Sequence, residues 1–207
     1  DQIWSQLQSG LPANIKKNLF SIFRSVGYSE ASRSQLYAIW NKTVVIEDLK
    51  LNEDDFTEIA MDLVLYGHPK SEKILQEAGE SISNPDKLAR FKFLLPSVSK
   101  DSNIRNRFFE SLKDEKKREK ESWVLTALNN LNHPLRQKDA IAYLKPSLEL
   151  LEEIQKTGDI FFPKGWLNST IGNYTSAEAD KIVEGFIADN PDLNPALLKK
   201  LLQASDD

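Results

Sequence analysis

Helical periodicity, interrupted every few turns by proline or a capping residue, is the feature that most constrains the fold of this chain. Apolar residues recur three and four positions apart along almost the whole sequence, which is the spacing of one helix face. Pro69, Pro85, Pro134 and Pro195 each lie near a predicted helix start, where the missing N–H costs nothing. The one β-like run, residues 43–51, is short and is interpreted as a connector. About a dozen short helices therefore account for the chain.

Several predicted helix boundaries are specific enough to name. The first long helix carries one apolar stripe, formed by Ile15, Leu19, Ile22, Phe23 and Val26. Gly27 is predicted to end this helix in a left-handed cap. Asn52 is predicted to cap the helix after the connector, and Pro96 to end a later one. Thr175 and Glu178 are predicted to form a capping box near the C-terminal end.

Two all-α architectures compete for a chain of this kind. Antiparallel helix pairs stacked in series give a superhelical solenoid, whereas a closed bundle needs fewer and longer helices. The many short helices favour the solenoid, although self-similarity is weak. Only His68-Pro69 and His133-Pro134, each between two helices, resemble a recurring unit. We therefore predict an all-α, irregular HEAT/armadillo-like superhelical array of short antiparallel helix pairs, with residues 1–207 forming one domain.

Composition excludes several classes of function. The net charge of −4 and the pI near 5.4 argue against nucleic acid as a partner, because phosphate binding needs a basic face. The chain has no cysteine and only two histidines, neither of them in an H-E-x-x-H pattern, so no metal ligands are predicted. The apolar runs are too short for a membrane span, and no signal peptide is visible. A chain that opens on Asp1 without methionine is expected to be part of something longer.

An aromatic cluster near the middle of the second half allows two interpretations. Phe161, Phe162 and Trp166 could form a docking patch or chamber wall, or they could plug the core beneath the preceding helix. The core plug is favoured for all three rings. Asp159 and Lys164 beside them are freer to face a cleft.

A series of short motifs, in a fixed order, carries a resemblance to a known family. The motifs are NPDK at 84–87, FKFLLP at 91–96, SKD at 99–101, RFF at 107–109, REKESWV at 118–124, LNHPLR at 131–136, TGDIFFP at 157–163 and LLKKLLQA at 197–204. Together they resemble the C-terminal helical domain of zinc aminopeptidases of the aminopeptidase N family, membrane alanyl aminopeptidases of the gluzincin group. The resemblance is firmest over residues 84–204.

The resemblance implies an indirect role. In that family the zinc ligands and the G-x-M-E-N motif belong to a separate, preceding catalytic domain, and none of these motifs occurs here. The resemblance therefore implies no catalytic residue, metal ligand or cofactor in this chain, and zinc in the catalytic domain of the parent enzyme. It implies a HEAT-like helical wall that closes over the catalytic cleft and shapes the peptide chamber. The expected partners are the catalytic domain of the same polypeptide and peptide substrates.

Four polar residues are candidates for the chamber or interface side. Arg118, Arg136 and Asp159 lie within the motifs and Lys164 directly follows one, and all four lie at predicted element ends. A structural salt bridge or helix cap is the alternative for each of them. The alternative function for the whole chain is a stand-alone HEAT-like scaffold that binds protein partners.

Overall fold

The chain folds into helices joined by short turns and loops. The computed structural model describes residues 2–206, and this part of the chain contains no β-strand. The all-α fold class is therefore confirmed, and residues 43–51 form a non-helical connector as predicted. None of the helices in the described part is both long enough and apolar enough to cross a membrane.

The described residues contain fourteen α-helices and four short 3-10 helices. The α-helices are α1 (Gln2–Leu7), α2 (Ala13–Val26), α3 (Glu30–Trp40), α4 (Glu53–Leu65), α5 (Ser71–Ser81), α6 (Pro85–Val98), α7 (Ser102–Ser111), α8 (Glu121–Leu131), α9 (Gln137–Ala140), α10 (Leu144–Glu149), α11 (Leu151–Thr157), α12 (Phe162–Thr170), α13 (Ala177–Asp189) and α14 (Pro195–Asp206). The 3-10 helices are Glu115–Lys117, Pro134–Arg136, Ile141–Tyr143 and Ile171–Asn173.

Two compact units divide the chain, the first extending to Phe91 and the second beginning at Lys92. In unit 1, α1 packs on α2, and α4 packs on both α3 and α5. In unit 2, α12 packs on α8 and α14, and α10 packs on α13. The assignment of residues 1–207 to one domain stays a prediction.

Local capping signals fix the start of α4 in unit 1. The side chain of Asn52 accepts hydrogen bonds from the N–H groups of Asp54 and Asp55, and the Asp55 carboxylate accepts from the N–H of Asn52. The predicted cap is confirmed as a full capping box. It aligns a helix whose Ile59 and Leu63 side chains are fully buried.

The predicted apolar stripe of α2 is only partly buried. Phe23 is buried and Leu19 is half-buried, while Ile15, Ile22 and Val26 are 40%, 48% and 56% exposed. The ring of Phe23 packs at 5.4 Å from that of Trp4 in α1, which selects this face of α2. The predicted left-handed cap is wrong, because Gly27 has φ −77°.

The core of unit 2 is built around Trp166. Its side chain is fully buried, and its indole N–H donates to the carbonyl of Ser147 at 3.0 Å. Phe162 is also buried and meets Trp166 edge to face at 6.0 Å. The core-plug interpretation is confirmed for these two rings and wrong for Phe161, which is 78% exposed. Phe161 precedes the first residue of α12, so its ring lies outside the buried face.

Two predicted helix boundaries in the second half are wrong. Pro96 does not end α6, which continues through it to Val98. The capping box predicted at Thr175 does not form, because Ser176 is the N-cap and its hydroxyl accepts from the N–H of Ala179. A second hydroxyl one residue further along therefore replaces the predicted one.

Candidate functional site

Arg136 serves as a clamp on the end of a helix. Its two terminal nitrogens donate to the carbonyls of Ser97 at 2.7 Å, Val98 at 2.7 Å and Ser99 at 3.1 Å. These carbonyls lie at the C-terminal end of α6, where backbone acceptors have no partner within the helix and the helix dipole is negative. The clamp also holds the turn that follows Pro96.

Arg118 makes the same kind of contact at the end of α7. Its guanidinium donates to the carbonyls of Leu112 at 2.6 Å and Lys113 at 2.9 Å, and it forms an ion pair with Glu153 of α11. The side chain is only 3% exposed. Arg118 therefore joins α7 to α11, and its hydrogen-bonding groups are directed at the protein's own backbone.

Asp159 and Lys164 are exposed, in contrast to the two arginines. Asp159 lies in the turn before α12, where its carboxylate accepts from the N–H of Phe161 at 2.9 Å. The N–H of Asp159 in turn donates to Glu121 at 2.7 Å, which fixes the turn to the start of α8. Lys164 lies in the first turn of α12.

One small cavity in unit 2 is lined by a single member of the predicted set, Arg118. It has a volume of about 170 Å³, and Arg118, Glu121 and Gly158 are among its lining residues. The turn of Asp159 is thus connected to this cavity through Glu121, whereas Arg136 and Lys164 do not line it. In the described part of the chain, no group of three or more acidic, histidine or cysteine side chains is arranged to hold a metal ion. The chamber role of the four residues stays a prediction.

His133 is the titratable group whose environment is most unusual near Arg136. Burial, and then the positive charge of Arg136, lowers the pKa of His133 to about 4. The neutral ring uses its Nδ1 as an acceptor for the N–H of Leu135 at 3.2 Å. Burial and the neighbouring Arg105 lower the pKa of Arg136 to about 10, so Arg136 stays positive at neutral pH.

A partly buried ionic cluster in unit 1 was missed by the sequence analysis. Arg24 of α2 donates to Asp62 at 2.7 Å and to Glu58 at 2.9 Å, both in α4, while the hydroxyl of Tyr66 donates to the Arg24 carbonyl. Burial raises the pKa of the Asp62 carboxyl, although the ion pair with Arg24 opposes the shift. Asp62 and Glu58 are four residues apart on one helix face, and this spacing was the available signal. The cluster connects α2 to α4.

A groove in unit 1 was also missed. We call it the connector groove, since the connector between α3 and α4 forms one wall. It consists of a mixed cavity of about 520 Å³ and an apolar cavity of about 230 Å³, which share Lys42, Leu51 and Phe56. The apolar run in the connector was the signal in the sequence, because such a run outside a helix has to pack or remain exposed.

The two cavities differ in their lining. The larger one is lined by the half-buried rings of Trp40 and Phe56 and by the carboxylates of Glu53 and Glu77. The smaller one is lined almost entirely by aliphatic residues, namely Ile39, Val44, Val45, Ile46, Leu49 and Leu51. The amine of Lys42 lies 5.2 Å from the centre of the Phe56 ring, in cation–π geometry. The connector groove thus places an apolar recess beside a polar one and has the character of a binding site.

No protein-family model, curated protein or solved structure matches this chain. The functional conclusion therefore depends on the residues themselves.

Proposed function

We propose that this chain is the non-catalytic C-terminal helical domain of a zinc aminopeptidase of the aminopeptidase N family. In this role it closes over the catalytic cleft and shapes the chamber of an enzyme that removes N-terminal amino acids from peptides. A HEAT-like arrangement of antiparallel helix pairs is part of the proposal. The observation that carries it is the ordered series of motifs between residues 84 and 204.

The structural roles of the motif residues support this proposal. Asn84 accepts hydrogen bonds from the N–H groups of Asp86 and Lys87 at the start of α6, and Asp101 caps α7. Arg118 and Arg136 clamp the ends of α7 and α6. The motifs thus mark helix boundaries, which are the positions that a helical wall needs to keep its shape.

Zinc fits the proposed parent enzyme and not this chain. The described residues offer no cluster of metal ligands, and the sequence has no H-E-x-x-H motif. In the parent enzyme, zinc bound by the catalytic domain would activate water and polarise the scissile carbonyl. This chain would contribute a wall that limits entry to peptides and excludes bulk water.

The isolated chain provides the first test of this proposal. Purified residues 1–207 should hold no stoichiometric zinc after dialysis and should cleave no aminoacyl p-nitroanilide. The reading frame upstream of residue 1 should encode H-E-x-x-H and a more distant glutamate. One equivalent of zinc held by this chain alone, or a start codon directly upstream, would contradict the proposal.

Variants in the parent enzyme provide the second test. Lys164→Ala should change KM or the preference for peptide length while the zinc content stays the same. Lys156→Ala is the matched control, because Lys156 is equally exposed on α11 but was not among the predicted chamber residues. Loss of zinc in Lys164→Ala, or equal effects of the two variants, would contradict a chamber role for Lys164.

A second candidate function is a stand-alone HEAT-like scaffold for protein partners. The exposed stripe of Ile15, Ile22 and Val26 on α2 favours it, because exposed apolar residues in helical register are typical of interaction surfaces. The upstream reading frame distinguishes the two candidate functions, because an H-E-x-x-H motif there supports the aminopeptidase domain and a start codon directly upstream supports the scaffold.

A further inference from the structure

The wall of the connector groove is held in place by a buried lysine. Lys16 of α2 is only 1% exposed, and its amine donates to the carbonyl of Glu47 at 2.7 Å. The neighbouring Ile46 is 4% exposed and anchors the same segment in the core. The connector therefore has fixed attachments, and the groove beside it is already formed in the free chain.

Two residues of the loop between α3 and α4 have a left-handed backbone conformation, which is unfavourable for residues other than glycine. Lys42 has φ 62° and Asp48 has φ 61°, and in the described part of the chain they are the only non-glycine residues with positive φ. This left-handed conformation is unfavourable for a residue such as lysine, because its Cβ comes too close to the following carbonyl oxygen. Unfavourable backbone conformations of this kind cluster at binding sites, where the surrounding structure maintains them.

The connector also has backbone groups that lack a partner. Within the described residues, the N–H groups of Val45 and Leu51 make no hydrogen bond, although both residues line the apolar cavity. An extended peptide recognises such groups by adding main-chain hydrogen bonds, while its alternate side chains enter pockets. This arrangement favours an extended ligand over a helical one, since a helix has already paired its backbone.

The lining chemistry selects the side chains of the ligand. The aliphatic cavity of about 230 Å³ accepts one leucine-sized side chain. The carboxylates of Glu53 and Glu77 line the adjoining cavity beside the ring of Trp40. Their present ion pairs, with Lys87 at 3.5 Å and with Lys73 at 3.4 Å, join partly exposed side chains and contribute little, so a basic side chain of the ligand can bind the same carboxylates. In an extended peptide, side chains two residues apart lie on the same face, so the two recesses correspond to residues i and i+2.

We propose that the connector groove binds an extended peptide segment of a partner protein, with an aliphatic side chain in the apolar cavity and a basic side chain two residues away beside Glu53 and Glu77. This binding belongs to unit 1 alone. It does not depend on the aminopeptidase assignment, because it requires neither a catalytic domain nor zinc.

Fluorescein-labelled peptides with blocked ends test the proposal against the 207-residue chain. The first probe carries Leu and Lys separated by one alanine within a Gly-Ser sequence, and the others replace Lys by Glu, Leu by Ser, or both by Ser. Fluorescence polarisation should show the Leu/Lys probe binding tightest, with each single replacement weakening Kd by about fivefold or more. Equal binding of all four probes, or preference for the Glu probe, would overturn the proposal.

Matched variants locate the binding site. Val45→Glu places a charge in the apolar cavity and should weaken the Leu/Lys probe by about tenfold. Ile160→Glu is its control, since Ile160 is 71% exposed, close to the 79% of Val45, and does not line the groove. Glu77→Lys should weaken the same probe by about threefold to tenfold, and Glu72→Lys on the same helix should not.

The remaining outcomes also decide the question. If Val45→Glu and Ile160→Glu weaken binding equally, the probe does not occupy the groove and the proposal fails. If light scattering shows that the chain dimerises and that Val45→Glu makes it monomeric, the groove is an interface between copies of this chain, which again overturns the proposal. Circular dichroism of each variant confirms that the helices are intact.

Discussion

Two turns between helices, which we call corners, contain the same His-Pro sequence and the same local hydrogen bond. In unit 1, Nδ1 of His68 accepts from the N–H of Lys70 at 3.1 Å, and in unit 2, Nδ1 of His133 accepts from the N–H of Leu135 at 3.2 Å. Each histidine therefore acts as a capping residue at the turn that its proline begins. The same His-Pro sequence therefore forms a turn before a helix in both units.

The residues before the two histidines differ. Gly67 precedes His68 and has φ 72°, a left-handed conformation that glycine adopts without cost. Asn132 precedes His133 with φ −91° and is fully buried. The first corner depends on the left-handed backbone of Gly67, whereas the second is held by the side-chain hydrogen bonds of Asn132.

The arginines at the two corners also differ. At the first, Arg33 of α3 reaches the carbonyls of Tyr66 at 2.8 Å and Gly67 at 3.4 Å, and its buried Nε has no partner in the described part of the chain. At the second, Arg136 lies in the corner itself and reaches three carbonyls of another helix. The comparison shows that a local motif can be repeated while its long-range attachments are not.

Replacing each of the two arginines by methionine should give the largest difference in stability between the two corners. Arg136→Met should lower the free energy of unfolding by about 4 kcal/mol, because the carbonyls of Ser97 and Val98 are left buried without a partner. Arg33→Met should cost only about 1 kcal/mol, since it loses one short hydrogen bond and relieves an unpaired Nε. Urea unfolding followed by circular dichroism measures both values, and equal losses would contradict the comparison.

A fall in pH should weaken the second corner. The pKa of His133 is about 4 in the folded chain and 6.5 for an ordinary histidine, so the unfolded chain takes up the proton first as the pH falls. His133 should therefore cost up to about 3 kcal/mol of stability as the pH falls from about 6.5 to 4, with no further effect above 6.5. Protonation of Nδ1 would also remove the acceptor for Leu135.

His133→Asn isolates this contribution. Asparagine can accept the same capping hydrogen bond but does not titrate. The difference in thermal stability between the unchanged chain and His133→Asn should shift in favour of the variant between pH 6.5 and 4. Parallel pH profiles for the two proteins would show that His133 titrates normally in the folded state.

Some features governed by neighbouring residues could be predicted from the sequence, although the caps expected at Gly27 and Thr175 were wrong. The cap at Asn52 is formed by groups two and three residues apart, so the residue type indicates it. Helix starts at Pro85 and Pro195 depend only on the missing proline N–H. These local signals occur along the whole chain, and the all-α class followed from them.

Features that depend on distant partners could not be predicted. The stripe on α2 was visible, but the choice of buried face depends on Trp4 and on the buried Lys16. Pro96 indicated a helix end, yet α6 continues to Val98, where Arg136 from far along the chain binds its last carbonyls. Arg136 was named from sequence as a candidate, with a structural cap as the alternative, yet its carbonyl partners could not be named.

Asn132→Ala should have the third-largest effect. The Asn132 amide donates to the carbonyls of Leu128 at 2.9 Å and Ser169 at 3.3 Å, and its oxygen accepts from the Tyr174 hydroxyl at 2.9 Å. Removing this side chain takes the acceptor from the Tyr174 hydroxyl and leaves a void at a fully buried position, and should cost about 2 kcal/mol. Tyr174→Phe, which removes only one of the bonds, should cost about 1 kcal/mol in the same urea experiment. A larger loss of stability for Tyr174→Phe than for Asn132→Ala would show that the hydrogen bonds of Asn132 are not the main contacts that stabilise this corner.

Gly67→Ala should have the smallest effect, about 1 kcal/mol, and its cause can be separated from packing. A Cβ at this position would meet only Nη1 of Arg33 at 3.8 Å, an ordinary contact, so the cost comes from the positive φ. Gly67→Asn reproduces the Asn-His-Pro sequence of the second corner and should cost less than Gly67→Ala, because asparagine tolerates this conformation. If Gly67→Asn is the more harmful variant, the first corner excludes side chains by space and not by backbone conformation. The two corners would then differ in packing as well as in their long-range attachments.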